Sequence, residues 1–281
     1  MVDYDPAALE RVAQRYRGDA WRSVPLEAIG EEEIEVQRFG PVLATCFGEL
    51  DDVRCVNQIQ GAAEPGAVEG GYLAKALEWM GEREVDYGVP VALGRPGTAA
   101  AEALLESCGH EREGGWLTLV RDCSPPDLPP NPEITVYDLS AEGADGEGLS
   151  AIAAEALELT ILSETLFFSL PELEDWRCYT AGFGEEIVTA TASMLIVDGI
   201  AQLTPGATLE GSRGRGANTE LVRRRLVDAA AAGCHTCFVE IGEAELEWLA
   251  ASSRILHRAG FEDAYSSRNW QRPALRTLGV Y

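Results

Sequence analysis

The sequence is almost without lysine: Lys75 stands alone, so nearly all of the 22 basic residues are arginines, and they are set against 47 aspartates and glutamates. The resulting net charge of −25 argues against a nucleic-acid partner and against an anionic membrane surface, both of which recruit basic patches. It favours solubility and tends to draw in cationic substrates, an attraction that salt weakens. The lysine deficit fits a saline cytoplasm and a GC-rich genome equally well. Long apolar runs are missing too, since none approaches the roughly 20 residues that cross a bilayer. The amino-terminal stretch MVDYDPAALERVAQRYRG is amphipathic and charged, and lacks the apolar segment of a secretion signal. A cytoplasmic protein with no nucleic-acid or membrane partner is expected.

Histidine is scarce, with 3 residues, which leaves little material for a metal cluster. The 7 cysteines, Cys46, Cys55, Cys108, Cys123, Cys178, Cys234 and Cys237, are odd in number and lie in apolar surroundings. They read as reduced, buried thiols. Cys234-His235-Thr236-Cys237 has the spacing of a redox or metal motif, yet no second cysteine pair or histidine cluster accompanies it. It also opens the strand-like run CFVEIG, where a small hydrophobe is expected, so no metal is assigned.

At 281 residues and 46% apolar content the chain is long enough for two domains, each with its own core. Residues 6–17 carry Ala8, Leu9, Val12 and Ala13 on one helical face. Three strand-like runs follow (33–40, 41–48, 53–61), then a helix over 71–83, a buried strand over 86–93, a helix ended by Gly109 and a strand over 116–122. Ser124–Glu133 holds five prolines in ten residues and predicts an extended interdomain linker. Beyond it come a strand over 134–140, helices over 148–159 and 163–170, and strands over 176–184 and 185–199. Asp198-Gly199 signals a tight hairpin into the strand 200–209, in which Pro205 removes a ladder hydrogen bond and predicts a bulge or splay.

The organising stretch is GATLEGSRGRGANTELVRRRL, Gly206 to Leu226. Gly214 and Gly216 let the backbone fold tightly and bring its N–H groups close to a bulky anion. Val222, Leu226, Ala229 and Ala230 repeat at helical spacing, so Asn218 or Thr219 is the expected N-cap of a helix whose positive dipole end faces the loop. Arg213, Arg215, Arg223, Arg224 and Arg225 concentrate positive charge there, against the sign of the whole chain. These features together describe a phosphate cradle.

With Arg213 first and Gly216 fourth, this segment resembles the acyl-CoA motif Gln/Arg-x-x-Gly-x-Gly/Ala of the GNAT acetyltransferase superfamily; Asn218 departs from its sixth position. Ser252–Phe261, SSRILHRAGF, is similar to a second landmark, with Ile255 and Leu256 where the family usually has Asn and Tyr. LLESCGH and WLTLVRD echo ILHRAGF and SSRNWQR, which points to an internal repeat. The resemblance implies an α/β (α+β) protein of two GNAT-like lobes, each a mixed, mostly antiparallel sheet flanked by helices. Residues 1–123 would form a degenerate lobe, 124–133 the linker and 134–281 the lobe that binds acyl-CoA. The loop QGAAEPGAVEGGY of the first lobe has no arginine and two glutamates, so that lobe would hold no cofactor. It would instead help form the acceptor cleft or a homodimer surface.

The implied activity is transfer of an acetyl group from acetyl-CoA directly to the primary amine of a small molecule, with a non-catalytic acyl-CoA-binding or sensor module as the alternative. The resemblance assigns Gly206, Ala207 and Thr208 to the pantetheine arm and the thioester carbonyl, and Arg213, Gly214, Arg215, Gly216, Ala217, Asn218 and Thr219 to the pyrophosphate. Glu240, on the next strand, is the candidate general base, against its reading as a solvated or ion-paired strand-end residue. His257 neighbours the expected acid position but points away from it, and Tyr265 is a core or interface residue before it is an acid.

Overall fold

The computed structural model describes residues 2–22, 34–47, 57–83, 85–143, 146–157, 167–184, 187–242 and 247–272. In chain order the helices are α1 (Pro6–Arg22), α2 (Tyr72–Gly81), α3 (Thr98–Ser107), the single turn α4 (Leu139–Glu142), α5 (Glu147–Ala156), α6 (Ala217–Ala231) and α7 (Glu247–Arg258). The strands are β1 (Ile34–Phe39), β2 (Val42–Phe47), β3 (Gln58–Gln60), β4 (Gly88–Ala92), β5 (Glu111–Asp122), β6 (Ile134–Asp138), β7 (Trp176–Phe183), β8 (Ile187–Val197), β9 (Ile200–Thr208), β10 (Thr236–Gly242) and β11 (Glu262–Gln271).

These elements make two compact units, each discontinuous in sequence: Met1–Gly30 with Thr118–Ala264, and Glu31–Leu117 with Tyr265–Tyr281. The units differ from the contiguous boundaries expected at 123 and 134. Helix α1 belongs to the first unit because Leu9, Val12 and Ala13, all buried, pack it onto β8 and β9. Residues 267–271 of β11 belong to the second unit because they pair antiparallel with β4. The proline-rich segment lies inside the first unit, with Leu128 buried, so it is a packed loop of that unit.

In the first unit the strand order is β5-β10-β9-β8-β7-β6, β5 through its residues Thr118–Asp122; β6–β7, β7–β8 and β8–β9 are antiparallel and β9–β10 is parallel. The second unit repeats that scheme: β1–β2 and β2–β3 are antiparallel and β3–β4 is parallel. In each unit a helix, α6 or α2, carries the chain between the two parallel strands, as parallel pairing requires. Trp176, Tyr179 and Phe238 are fully buried in the first core, and Ile59, Leu73, Met80 and Trp270 in the second. Both units are thus mixed, mostly antiparallel sheets flanked by helices.

The proposed repeat is visible in how two helices end. After α3, Gly109 takes φ +79° and His110 N–H donates to Leu105 O at 3.0 Å; after α7, Gly260 takes φ +90° and Phe261 N–H donates to Leu256 O at 3.1 Å. Each glycine is in the left-handed region that closes a helix, and the bond behind it takes up an orphan carbonyl. The helix expected over 163–170 is not seen in its described part. There Leu170–Glu172 form only a 3₁₀ turn, because Pro171 has no N–H to continue a helix. Of the cysteines, Cys108 is exposed rather than buried, since it follows the last turn of α3; Cys55 lies outside the described residues.

In the second unit His110 is buried and its Nε2 lies 3.0 Å from Tyr87 Oη. Burial pushes its pKa below the ordinary histidine value. The unfolded chain therefore takes up a proton near pH 6.5 that the folded chain refuses, so this contribution is complete above about pH 6.5 and lost as pH falls. Urea denaturation at about pH 7.5 and 5.5 is expected to show a smaller acid-induced loss of stability in His110→Gln than in the parent protein.

Candidate active site

The site begins with a hairpin that the sequence specifies. Asp198 at φ +51° and Gly199 at φ +75° form a two-residue turn, and Val197 pairs with Ile200 across it. Along β8 and β9 the register holds until Met194↔Leu203 and then resumes at Ala192↔Gly206, so β9 carries one extra residue at Thr204-Pro205. The bulge falls where Pro205 cannot donate to the ladder. On the other side of β9, the parallel pairing with β10 covers Ile200↔Thr236 to Gln202↔Phe238. Strand β9 runs on to Thr208 and β10 to Gly242, so the strands part beyond that point.

A cavity of about 850 Å³ opens beside the free end of β9. Gly206, Ala207 and Thr208 line one side, the loop and first turn of α6 from Ser212 to Glu220 a second, and Ala251, Ser252, Arg254, Ile255 and Arg258 of α7 a third. Leu128, Pro129 and Asn131 of the proline-rich segment close it further. Each of the ten residues expected to hold the acyl-CoA lines this cavity.

The helix starts earlier than expected. Gly216, not Asn218 or Thr219, is the N-cap of α6, at φ +97° with no side-chain cap. A left-handed glycine lets the chain turn into the helix without a capping oxygen. The first helical amide to find an acceptor is that of Glu220, on Gly216 O at 3.0 Å. Those of Ala217, Asn218 and Thr219 have no backbone acceptor among the described residues, as expected for a helix N-terminus lining a cavity. Glu220 is buried in this turn: Oε2 accepts from Asn131 N–H at 3.1 Å, and Oε1 accepts from Arg223 Nη2 at 2.5 Å. The carboxylate thereby ties the proline-rich wall to the helix.

The five arginines of this stretch do not act as one cationic patch. Arg213 donates to Thr208 O and Ala156 O, both at 3.2 Å, and Arg215 stacks 3.6 Å over the Phe183 ring. Arg223 pairs with Glu220, and Arg224 with Asp228 at 2.8 Å. Arg225 is buried, donating through Nη1 to Ser193 O (3.1 Å) and Thr204 O (2.9 Å) and through Nε to Leu221 O (3.2 Å). Burial pushes its guanidinium down to about 10. Two cations the sequence reading missed, Arg254 and Arg258, line the cavity and form no ion pair among the described residues. Their spacing of four on an amphipathic helix is the signal that finds them.

Glu240 does not line the cavity. It lies on β10 just past the last pairing with β9, where Oε2 accepts from Arg17 Nη1 at 3.1 Å and from Gln202 Nε2 at 3.3 Å. His257 faces its own helix end, with Nδ1 3.1 Å from Phe261 O and Nε2 3.5 Å from Asp263. Leu256, at the position the resemblance gives to a tyrosine, is buried. Tyr265 falls in the second unit. Cys237 Sγ is 2.8 Å from Cys123 Sγ, a neighbour 114 residues away that the Cys234-Cys237 spacing does not reveal.

The corresponding loop of the second unit, between β3 and α2, is built differently. Its amides are taken up internally: Glu64, Ala67, Gly70, Gly71 and Leu73 donate to Gly61, Glu64, Gly66, Val68 and Ala67 carbonyls. Ala62, Ala63 and Ala67 are buried, and Glu64 is paired with Arg95. The Tyr72 ring fills the space beside Gly40 and Gly70.

No protein-family model and no curated protein sequence matches this chain. Solved structures do, and the fold they define is that of the GCN5-related N-acetyltransferases. The chain is similar to one such protein from Kribbella flavida (16% identity, TM-score 0.64, 95% of each chain covered). It is similar to another from Sphaerobacter thermophilus (16% identity, TM-score 0.60, 98% of this chain and 96% of that one). More particularly, it is similar over 96% of its length to a tandem GNAT protein from the clavulanic acid biosynthesis pathway (13% identity, TM-score 0.56, 97% of that chain). Both units therefore take part in the likeness.

Proposed function

We propose that the chain transfers an acetyl group from acetyl-CoA directly to the primary amine of a small molecule, using the cavity of the first unit. The observation that carries this reading is the meeting, in one cavity, of the open amides of Ala217, Asn218 and Thr219 with the free edge of β9. A helix N-terminus with unpaired amides suits a diphosphate. The edge of β9 beyond Gln202 has no partner strand in β10, so it suits an extended amide-bearing arm that pairs as another strand would. Arg254 and Arg258 add positive charge across from the loop.

In this reading Gly206, Ala207 and Thr208 hold the pantetheine end and direct a main-chain N–H at the thioester carbonyl, where charge develops in the transition state. Arg213, Gly214, Arg215, Gly216, Ala217, Asn218 and Thr219 frame the pyrophosphate, mostly through the main chain, so the side chain of Asn218 is tolerated. Positioning two bound reactants supplies much of the rate, on the order of 7–11 kcal/mol in favourable cases. Glu240, which does not line the cavity and is paired with Arg17, takes the ammonium proton through intervening water. The acidic surface draws a cationic acceptor.

A second reading, an acyl-CoA sensor without turnover, is favoured by the buried Leu256 where an acid would stand and by the ion pair that occupies Glu240. Calorimetry with CoA and acetyl-CoA, followed by thiol release over a panel of small amines, separates the two. Binding with amine-dependent thiol release supports the transferase. Binding with no release on any amine supports the sensor, and no heat at millimolar CoA overturns both.

A further inference from the structure

Arg225 is a buried cation with no carboxylate partner among the described residues, held within a strand irregularity next to the cavity. Burying an unpaired guanidinium is costly, and a hydrophobic residue would pack the interior of α6 without that cost. Its hydrogen bonds show what is gained. Ser193 and Thr204 are residues that drop out of the β8–β9 register at the bulge, and one nitrogen, Nη1, donates to the carbonyls of both. The hydroxyls of the same two residues meet at 2.6 Å, closing the bulge from the side-chain side.

The clamp lies directly beneath the cavity edge. A Cβ built on Gly206 would stand 3.5 Å from Arg225 Nη2 and 3.3 Å from Asn218 Oδ1, so Gly206 lies against both side chains. Pro205 has no N–H, so the first main-chain donor after the bulge is that of Gly206. The direction in which β9 offers its amides from Gly206 onward is thus set by how far the bulge opens.

We propose that Arg225 is a positioning residue for acyl transfer: by clamping Ser193 O and Thr204 O it fixes the bulge, and through it aims the β9 amides at the carbonyl of a bound thioester. The inference rests on the acyl-CoA reading given above. A guanidinium suits this task better than an ammonium because its planar fork reaches several carbonyls at once in a fixed geometry. Asn218, which departs from the motif, packs against the same face of Gly206 as Arg225.

The test follows the carbonyl itself. Isotope-edited infrared difference spectra of [1-13C]acetyl-CoA bound to the parent protein are expected to show the thioester carbonyl band below its position in free acetyl-CoA. In Arg225→Met the band is expected to return to the free position, while the Kd for CoA, which has no acyl carbonyl, stays within about threefold. Arg225→Lys, which restores the charge and one hydrogen bond, is expected to give an intermediate band and serves as the informative variant if Arg225→Met does not fold. An unshifted band in the parent protein with acetyl-CoA bound, or an equally shifted band in a folded Arg225 variant, overturns the proposal. Failure of the parent protein to bind acetyl-CoA instead overturns the acyl-CoA reading, so the two failures are told apart.

Discussion

Replacing Gly216 by valine is expected to weaken CoA binding by about 30-fold or more, on the order of 2 kcal/mol, and to destabilise the first unit as well. At φ +97° any L-residue is strained, by roughly 1–2 kcal/mol for an ordinary one and more for a β-branched one. The added Cβ would also stand 3.1 Å from Asn131 Nδ2, so the Asn131 side chain must shift by a few tenths of an ångström. Relief of either strain moves the first turn of α6, and the open amides of Ala217, Asn218 and Thr219 move with it. Gly214→Ala is the comparison: its φ of +77° strains the backbone, but no atom lies within 4 Å of the new Cβ. Calorimetry with CoA and urea denaturation on both variants should show the larger loss at Gly216 in each measurement. Equal, small losses at the two glycines would mean that the cradle does not depend on this turn.

Glu240→Ala is expected to cost roughly 2–3 kcal/mol of stability, because it takes one carboxylate away from the buried Arg17 guanidinium. The side chains of Arg17 and Glu240 are only 10% and 19% exposed, so water does not replace the lost partner. Gln202 Nε2 loses its acceptor in the same step. This makes alanine a poor probe of catalysis, since loss of activity would follow from loss of structure. Glu240→Gln keeps a side-chain oxygen for Arg17 and removes the basicity. A folded Glu240→Gln that binds CoA normally but releases thiol at least tenfold more slowly supports Glu240 as the base, and unchanged turnover excludes it. Denaturation midpoints for both variants, read beside their turnover, separate the structural share from the chemical one.

Features that depend on backbone conformation over a few residues are legible in the sequence. Asp198-Gly199 forms its turn, Pro205 coincides with a bulge, and Gly109 and Gly260 end their helices, because each outcome follows from a missing Cβ, a missing N–H or a tolerated positive φ. The turn into α6 is legible for the same reason, although its N-cap lies two residues before the first expected one. A left-handed glycine needs no capping side chain, so no oxygen-bearing residue marks the N-cap at Gly216. What long-range packing decides was not legible. Arg17 and Glu240 are 223 residues apart, and nothing near either one announces the other. The five clustered arginines lie beside a cavity, yet each has its own local partner, since charge counted along a sequence does not show which guanidinium faces a carbonyl, a ring or a carboxylate. Prolines at 124–133 excluded helix and central strand, yet extended chain packs against a helix as readily as it spans a gap.

The polypeptide passes from one unit to the other three times, near residues 30, 117 and 264, and none of these passages is the proline-rich stretch. Severing the backbone between Ser124 and Glu133 would therefore leave both new ends in the same body, which three uncut crossings still tether to its neighbour. The halves cannot be treated as interchangeable cassettes: a fragment beginning at residue 134 forfeits the helix that covers β8 and β9, and one ending at residue 123 forfeits the strand that completes β4.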